Sequence, residues 1–475
     1  MADDAAYFES KEFRSILKQY EESVKAGHLA YMDADDLADI ADYYHYNGRY
    51  KEADEAIELA LEYNPDAVGP LLYKARMALS DNDFDTAEDY ALRIEAVDSL
   101  EALYFKGEIL ICQGKTEEAD DLFRQHMKEV YPDELTDYVY DVANLFSDYN
   151  IYEKAFEWIT RSKGDDSDDF KELMACTLFG LGKYKDSERI FNELIDHDPY
   201  SARYWNALAS AQFMEEDYNS AITSSEYAMA IDPNDAESVL SKANGLYNLG
   251  NYESAYTYFQ RYSEMMPNDD FGYLHQGTCL INLGRIPDAI SALETGEQVA
   301  QPDSKHLPDI YQELAFAYSE QGKLDNALYY LDKTEQLDCD HVNILVIRGH
   351  ILLSNNKQEE SEKAFLKAIQ LTDNAPKTML RITVSLYDNQ YYDSSYQLFK
   401  TIFDYVGQEW TEGYSYMALC CLELEKDDEF MHYLEQAVEH NPREAKQVLG
   451  RLFPEGMTPE SYVEYMSKQK NNNKI

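Results

Sequence analysis

The chain has 475 residues, with 91 acidic against 41 basic side chains, a formal net charge of -50 and 45% hydrophobic residues. So many core-forming side chains exclude a disordered acidic chain. The negative charge repels phosphate groups, which disfavours nucleic acids and anionic membrane surfaces as partners and favours basic protein segments.

Targeting signals and cysteine usage bear on the compartment. Residues 1–6 lack the positive charge and apolar run of a secretory signal, and no charge-poor apolar stretch of about 18 residues occurs, so we expect no membrane insertion. The six cysteines are thinly spread, which suits neither a disulfide framework nor a zinc finger. These features predict a soluble cytoplasmic protein with reduced thiols.

The first predicted element is a helix over residues 5–26. Its apolar side chains recur at helical spacing, so they form one face that would cover the next element along the chain. They are Tyr7, Phe8, Phe13, Ile16, Leu17, Tyr20 and Val24. We therefore predict an N-terminal capping helix within residues 1–33.

From residue 34 a pattern of about 34 residues returns twelve times, with starts at 34, 68, 100, 136, 168, 202, 236, 270, 308, 342, 376 and 411. When each repeat is numbered from its start, position 8 is small in most repeats, as in Ala41 and Gly107. Position 20 is small in all repeats but the last, where Phe430 stands, and position 24 is large in most repeats, as in Phe123. Small residues at positions 8 and 20 let two helices approach closely, and the large residues fill the space around them.

The turns agree with a helical hairpin. Gly114 and Gly182 are among the glycines between the two helices, where a left-handed helix end is needed, and Pro65 and Pro233 are among the prolines that stop the second helix. Each repeat is therefore predicted to be a helix, a turn and a helix.

This pattern resembles the tetratricopeptide repeat (TPR) family over residues 34–442. The residues that carry the resemblance include Trp205, Leu208, Ala209, Tyr218, Ala221, Ala228 and Pro233 in the sixth repeat and Ala243, Gly250, Tyr252, Ala255, Phe259 and Pro267 in the seventh. The resemblance implies an all-α, right-handed superhelical solenoid of about twelve helix-turn-helix repeats with terminal capping helices. Repeats 10 to 12 depart most, with Gln358 at position 17, Thr383 at position 8 and Phe430 at position 20.

The longest spacing between repeats contains residues 300–308, and we expect this loop to change the pitch of the array. It divides the array into repeats 1–8 over residues 34–307 and repeats 9–12 over residues 308–442. Residues 443–475 are predicted to form a C-terminal capping helix and a polar tail. The apolar face of that helix comprises Val448, Leu449, Leu452 and Phe453.

Three motifs invite a chemical interpretation, and each has a structural explanation. Gly114 precedes Lys115 and Thr116, but Ile109 stands where a phosphate-binding loop needs glycine. Residues 338–341, Asp-Cys-Asp-His, are interpreted as a polar turn, because four consecutive side chains seldom all point inward. Cys420 and Cys421 lie within a helix as packing residues. We therefore expect no catalytic residue, no cofactor and no metal.

Partner binding is the remaining function. The resemblance implies that positions 2, 5, 6 and 9 of the first helix line a concave groove. In repeats 1–5 these positions carry nine acids and one base, whereas in repeats 6–12 they carry four acids and three bases. The predicted partner-binding residues are Asp35, Asp39, Asp42, Tyr73, Arg76, Tyr104, Phe105, Glu108, Tyr140, Asp141 and Asn144.

The carboxylate clamp with which some TPR proteins hold the acidic C-terminus of chaperones requires lysine, asparagine and arginine at certain of these positions in three successive repeats. Repeats 1–3 instead present Ala38 and Asp42 at the first two clamp positions, and no three successive repeats supply the set. A chaperone partner of that type is disfavoured.

The leading hypothesis is a non-catalytic scaffold or adaptor that binds a basic or amphipathic segment of a partner protein in its concave groove. The alternative is a regulatory or sensor subunit that binds a signal peptide and controls an associated enzyme. A third reading is that the acids only keep the array soluble and that the groove has no dedicated ligand.

Overall fold

The computed structural model describes residues 7–8, 10–26, 32–96, 99–162, 166–407, 409–454 and 456–471. Within these ranges the regular structure is helical, with no strand. Two predicted features lie partly outside the described residues: the start of the N-terminal cap, residues 1–6, and the end of the polar tail, residues 472–475.

The chain forms two compact units, Met1–Glu216 and Asp217–Ile475. The helices described in the first unit are α1 (Lys11–Ala26), α2 (Ala34–Tyr46), α3 (Tyr50–Tyr63), α4 (Val68–Ser80), α5 (Phe84–Glu95), α6 (Ser99–Cys112), α7 (Thr116–His126), α8 (Leu135–Asp148), α9 (Tyr152–Ile159), α10 (Asp168–Gly180), α11 (Tyr184–His197) and α12 (Ala202–Met214).

The helices described in the second unit are α13 (Tyr218–Ile231), α14 (Ala236–Asn248), α15 (Tyr252–Met265), α16 (Asp270–Asn282), α17 (Ile286–Val299), α18 (Leu307–Glu320), α19 (Leu324–Thr334), α20 (His341–Ser354), α21 (Gln358–Leu371), α22 (Pro376–Asp388), α23 (Tyr392–Tyr405), α24 (Tyr414–Glu423), α25 (Asp427–His440), α26 (Pro442–Leu449) and α27 (Tyr462–Asn471). Short 3-10 helices occupy Gly450–Leu452 and Pro459–Ser461.

The turn between the two helices of a repeat has one backbone signature throughout. Position 15 has a positive φ in all twelve repeats, and it is glycine in six of them. The residues are Gly48, Asn82, Gly114, Asn150, Gly182, Glu216, Gly250, Gly284, Gly322, Asn356, Gln390 and Glu425. This left-handed residue ends the first helix, so the predicted register holds even in repeats 10 to 12, where the sequence pattern is weakest.

Positions 8 and 24 fit together as the pattern predicts. A Cβ atom on Gly107 would lie 2.0 Å from Cζ of Phe123, and one on Gly349 would lie 2.2 Å from Cε1 of Phe365. The same relation holds for Gly277, whose added Cβ would lie 2.4 Å from Cγ of Leu293. A glycine at position 8 is therefore the space into which the large side chain of the second helix fits.

Serine at position 20 has a role that the sequence pattern did not predict. The Ser187 hydroxyl donates a hydrogen bond to the carbonyl oxygen of Ala175 at 2.8 Å, and that of Ser361 donates to the carbonyl oxygen of Gly349 at 2.6 Å. Both acceptors are position-8 residues. The hydroxyl thus keeps a buried polar group satisfied at the closest point between the two helices.

Helix α1 covers the first repeat as predicted, with Phe13 fully buried and Tyr20 6% exposed. Two residues of the predicted apolar face differ, because Tyr7 and Val24 are exposed. The Tyr7 hydroxyl donates instead to Oδ2 of Asp39 at 2.7 Å. The cap is therefore joined to the first repeat by both apolar packing and a polar contact.

The C-terminal segment closes the second unit through a larger core than the sequence indicates. Leu449 is buried as expected, but Tyr462, placed after the predicted helix, is also buried and stacks on Phe453 with 3.6 Å between ring centroids. The Glu444 carboxylate accepts hydrogen bonds from the backbone N–H groups of Gly413 and Ser415 at 3.0 and 3.2 Å. This carboxylate caps the N-terminus of α24.

The boundary between the two compact units falls at residues 216–217, within repeat 6. The division of the array at residues 300–308 stays a prediction. Around that loop packing is continuous, because Leu307 and Ile310 share one core with Leu274 and Leu293 of the preceding repeat. The Ser304 hydroxyl also donates to the Asp270 carboxylate. The expected change of pitch at this loop stays a prediction.

Candidate partner-binding surface

A cavity of about 450 Å³ lies on the first helices of repeats 1 to 3. Its lining residues come from α2, α4 and the start of α6, and all but two occupy repeat positions 2, 5, 6 or 9. They are Asp35, Ala38, Asp39, Asp42, Val68, Gly69, Leu72, Tyr73, Arg76, Met77 and Glu101. We call this set the acid cavity.

The acid cavity brings together five of the predicted site residues: Asp35, Asp39, Asp42, Tyr73 and Arg76. The lining carries four carboxylates and one guanidinium, that of Arg76. The Arg76 Nε lies 3.6 Å from Oε1 of Glu108, a carboxylate outside the lining, so the only cation of the cavity already has an acidic neighbour. The lining therefore has a net negative charge and attracts cations.

The floor of the acid cavity is aromatic and apolar. Tyr73 is 6% exposed, and its hydroxyl lies 3.2 Å from Nδ1 of His45 in the preceding repeat. Burial, with smaller contributions from Asp54 and Asp42, raises the pKa of Tyr73 to about 12, so its hydroxyl stays neutral. Leu72 and Met77 complete a surface against which the aliphatic stem of a lysine or arginine can pack.

Phe105, predicted as an aromatic contact for a partner, lies in the core. It is 1% exposed and packs with Ala75, Leu79 and Ile109. A large aromatic side chain at this position buries more area in the seam between two repeats than it would against solvent in the groove. Phe105 therefore has no free surface to offer a partner, and this part of the site prediction does not hold.

Tyrosine–carboxylate hydrogen bonds join further predicted residues to each other. The Tyr104 hydroxyl donates to Oδ2 of Asp141 at 2.9 Å, and the Tyr149 hydroxyl donates to Oε1 of Glu108 at 2.7 Å. Burial raises the pKa of Asp141, while the hydrogen bond from Tyr104 opposes that shift. Each bond links one repeat to the next, so these residues stabilise the array between its repeats.

The other two predicted residues also have neighbours within the chain. The Tyr140 ring lies 5.9 Å from that of Phe170 between centroids, and the Asn144 side-chain amide donates to Oδ2 of Asp148 at 3.3 Å. Tyr149, which accompanies Glu108, was not among the predicted site residues. No periodic signal identifies it, because it stands in the turn next to the left-handed Asn150.

A second, apolar concavity of about 250 Å³ lies on repeats 4 to 6. Its lining is without charged side chains and comprises Ser147, Tyr152, Cys176, Phe179, Phe191, Ala207 and Ser210. We call this set the apolar pocket. The sequence analysis did not single it out, although Cys176, Ala207 and Ser210 are all small residues at groove positions 6 or 9.

Besides four acids and two bases, the groove positions in the second unit carry amides and histidines. The Asn343 amide donates to Oε1 of Gln312 at 3.2 Å, and Nδ1 of His350 lies 2.8 Å from the Ser385 hydroxyl. Burial lowers the pKa of His350, which favours the neutral ring. Burial, with Asp309 as a smaller cause, raises the pKa of Glu313 to about 7.

The motifs tested for chemistry have ordinary structural roles. The Asp340 carboxylate caps α20 by accepting from the backbone N–H groups of Val342 and Asn343, and the Cys339 thiol donates to the carbonyl oxygen of Thr334. Cys420 and Cys421 are buried, which raises the pKa of their thiols to about 11 and about 12. In the part of the chain that the structure describes, no group of three or more His, Cys, Asp or Glu side chains is arranged to hold a metal ion.

Helix length and composition also bear on membranes. Among the described helices, none has both the length and the apolar character needed to cross a bilayer.

Models of known protein families match several parts of this chain. Models described as tetratricopeptide repeat match residues 38–99, 102–138, 173–236 and 342–374. A model described as anaphase-promoting complex, cyclosome, subunit 3 matches residues 214–296. No curated protein matches the chain.

Similar solved structures include yeast Tom70, at 14% identity and a TM-score of 0.44 over 92% of this chain and 96% of that one. A tetratricopeptide repeat protein from Parabacteroides merdae is 16% identical, with a TM-score of 0.41 over 53% of this chain and 97% of that one. The APC/C hetero-tetramer Cut9-Hcn1 is 16% identical, with a TM-score of 0.35 over 95% of both chains.

Proposed function

Since the chain belongs to the tetratricopeptide repeat family, whose members bind protein partners, we propose that it is a non-catalytic scaffold or adaptor of the cytoplasm. Its acid cavity holds a basic or amphipathic segment of a partner protein. The observation that carries the proposal is the lining of this cavity, which has one cation, Arg76, among four acids: Asp35, Asp39, Asp42 and Glu101.

The electrostatics of the cavity favour a cationic segment. Carboxylates that share one concavity sum their potentials, which raises the local concentration of cations and speeds their association. Each exposed ion pair adds only about 0.2–1 kcal/mol, so the acids govern selection and association rate more than affinity. Affinity then depends on apolar contact with Leu72, Val68 and Met77, which suits the long stems of lysine and arginine.

A direct test uses a synthetic peptide that alternates lysine and leucine, labelled with a fluorophore, and follows its binding by anisotropy at increasing salt. We expect binding by the full chain to weaken as salt rises, because screening removes the attraction between exposed charges. The double variant Asp39→Asn with Asp42→Asn should bind more slowly and with a flatter dependence on salt.

The matched control removes two charges from another face of the same region. Glu88 and Asp89 are exposed on α5, the second helix of repeat 2, outside the acid cavity. Glu88→Gln with Asp89→Asn should leave the association rate almost unchanged. Equal effects of the two double variants would mean that net charge alone attracts the peptide, and the acid cavity would then have no specific role.

A further inference from the structure

The apolar pocket of repeats 4 to 6 is open and preformed. Phe191, which is 2% exposed, contributes from α11, while the small side chains of Cys176, Ala207 and Ser210 leave the space above it unfilled. A Cβ atom on Gly180 would lie 2.4 Å from the Tyr152 ring, so that ring lies directly against the backbone of α10. A ligand side chain would therefore meet an aromatic wall that packs against this backbone.

The size and chemistry of the pocket define what it can accept. Apolar cavities of about 150 Å³ already hold a benzene-sized molecule, and this pocket encloses about 250 Å³. Cys176 is exposed, and partial desolvation raises the pKa of its thiol, so the thiol is neutral at physiological pH and adds no charge to the lining. An aromatic or branched aliphatic side chain fits these surroundings better than a polar one.

We infer that the apolar pocket receives a large apolar side chain of the same basic segment that the acid cavity binds, an inference that rests on the proposed function. Both concavities lie in the first unit and include residues from the same groove positions of its first helices. Charge complementarity to the acid cavity determines which partner segment binds. A segment drawn to Asp39 and Asp42 is cationic, and its continuation along the same positions reaches a pocket without charge.

The spacing between the two concavities sets the length of the segment. The pocket lies about three repeats beyond the acid cavity. With about 10 Å between the first helices of successive repeats, the upper end of the range for packed helices, the span is about 30 Å. An extended chain rises about 3.3 Å per residue, so about nine residues separate the basic and apolar parts. The partner is thus a bipartite segment with a basic cluster, a spacer of about nine residues and one large apolar residue.

The probes for this inference are synthetic peptides with a lysine–leucine block, a glycine–serine spacer and one phenylalanine, made in both chain directions. Matched peptides replace the phenylalanine by alanine or shorten the spacer to three residues. With the full chain, we expect the better direction to bind about tenfold more tightly when phenylalanine follows the nine-residue spacer, the scale set by burying one large apolar side chain. The short spacer should lose that gain.

Variants of the protein test whether the phenylalanine of the peptide binds in the apolar pocket. Cys176→Phe fills the pocket, whereas Cys176→Ser keeps its size at the same position. The tenfold difference should vanish in Cys176→Phe and remain in Cys176→Ser. Ser210→Phe, at another lining position contributed by α12, should act like Cys176→Phe. Unchanged affinity for the alanine peptide establishes that each variant is folded and that its acid cavity is intact.

Several outcomes overturn the inference. They are equal affinity of the phenylalanine and alanine peptides, equal gain with both spacers, or a gain that survives both filling variants. A wild-type chain that self-associates in sedimentation and becomes monomeric in Cys176→Phe would show that a second copy occupies the pocket. If instead no basic peptide binds at all, the proposed function itself fails, which is a different result.

Discussion

The groove positions of the two units use the same backbone pattern to present different chemistry. In the first unit, those of repeats 1 to 3 line the acid cavity, which carries four carboxylates and one guanidinium, that of Arg76. In the second unit the corresponding positions take part in neutral hydrogen bonds, such as that from Asn343 to Gln312, or in ion pairs, such as Lys377 with Glu412. Both units keep the left-handed residue at position 15. Hence groove positions can change their chemistry while the packing positions maintain the fold.

The largest effect should come from removing residues from Arg443 to the C-terminus. This truncation takes Leu449, Phe453 and Tyr462 out of the core of the second unit, and each such side chain contributes about 1.5–3 kcal/mol when buried. We expect a clearly lower melting temperature and aggregation through the exposed face, measured by calorimetry and light scattering. Binding of a basic peptide by the first unit should persist. A truncated chain that stays monomeric and melts like the full chain would contradict the capping role.

A substitution within the first unit should lower peptide binding as well as stability, unlike the C-terminal truncation. Gly107→Ala forces the Phe123 ring away from a position only 2.0 Å from the new Cβ, and overpacking of this kind costs about 1–3 kcal/mol. Because Gly107 lies on α6, the helix that contributes Glu101 to the acid cavity, both chemical stability and peptide binding should decrease. Gly277→Ala, with the same conflict against Leu293, is the matched control in the second unit. It should lower stability by a similar amount and leave peptide binding unchanged.

The pH dependence of stability should differ between the units through Glu313. Its folded-state pKa, about 7, lies above that of an unfolded glutamate. The stability associated with the protonated form is therefore fully present below the unfolded pKa and is lost as the pH rises through about 7. Glu313→Gln should raise the melting temperature at pH 8 and leave it nearly unchanged at pH 5. An equal shift at both pH values would mean that the carboxyl does not titrate in this range.

The smallest effect should come from a feature that the two units share. Ser187→Ala in the first unit and Ser361→Ala in the second each remove one hydroxyl bonded to a position-8 carbonyl oxygen. A hydrogen bond of this kind contributes about 0.5–1.5 kcal/mol, and most other repeats have alanine at the position. We expect similar small losses in denaturant unfolding. A marked difference between the two variants would show that this contact is not equivalent in the two units.

The candidate site was predictable to the extent that its residues follow the repeat. Positions 2, 5, 6 and 9 identified Asp35, Asp39, Asp42 and Arg76, and the structure brings these four together. The same rule failed for Phe105. The position of a residue in the repeat fixes the direction of its Cα–Cβ bond but not the rotamer that a large side chain adopts. Phe105 turns into the seam between repeats, because burial there removes its ring from water.

Tyrosine hydroxyls supply hydrogen-bond donors for the carboxylates of this acidic chain. With 41 basic against 91 acidic side chains, there are too few cations to pair every carboxylate. The 41 tyrosines supply neutral donors, as in the bond from Tyr396 to Glu429 at 2.6 Å, which joins repeats 11 and 12. Composition alone indicates this surplus of donors. Which tyrosine meets which carboxylate depends on the packing of neighbouring repeats.

The sequence by itself determined the helical hairpins, the register of the twelve repeats and the excess of acids in the first groove positions. These properties follow from contacts within one repeat, such as Gly107 with Phe123, whose spacing is set by helix geometry and recurs every 34 residues or so. The tertiary structure alone decided the apolar pocket, the burial of Phe105 and the bond between Tyr104 and Asp141. Each of these joins side chains of different repeats, where rotamers and competing burial, and not periodicity, select the contact.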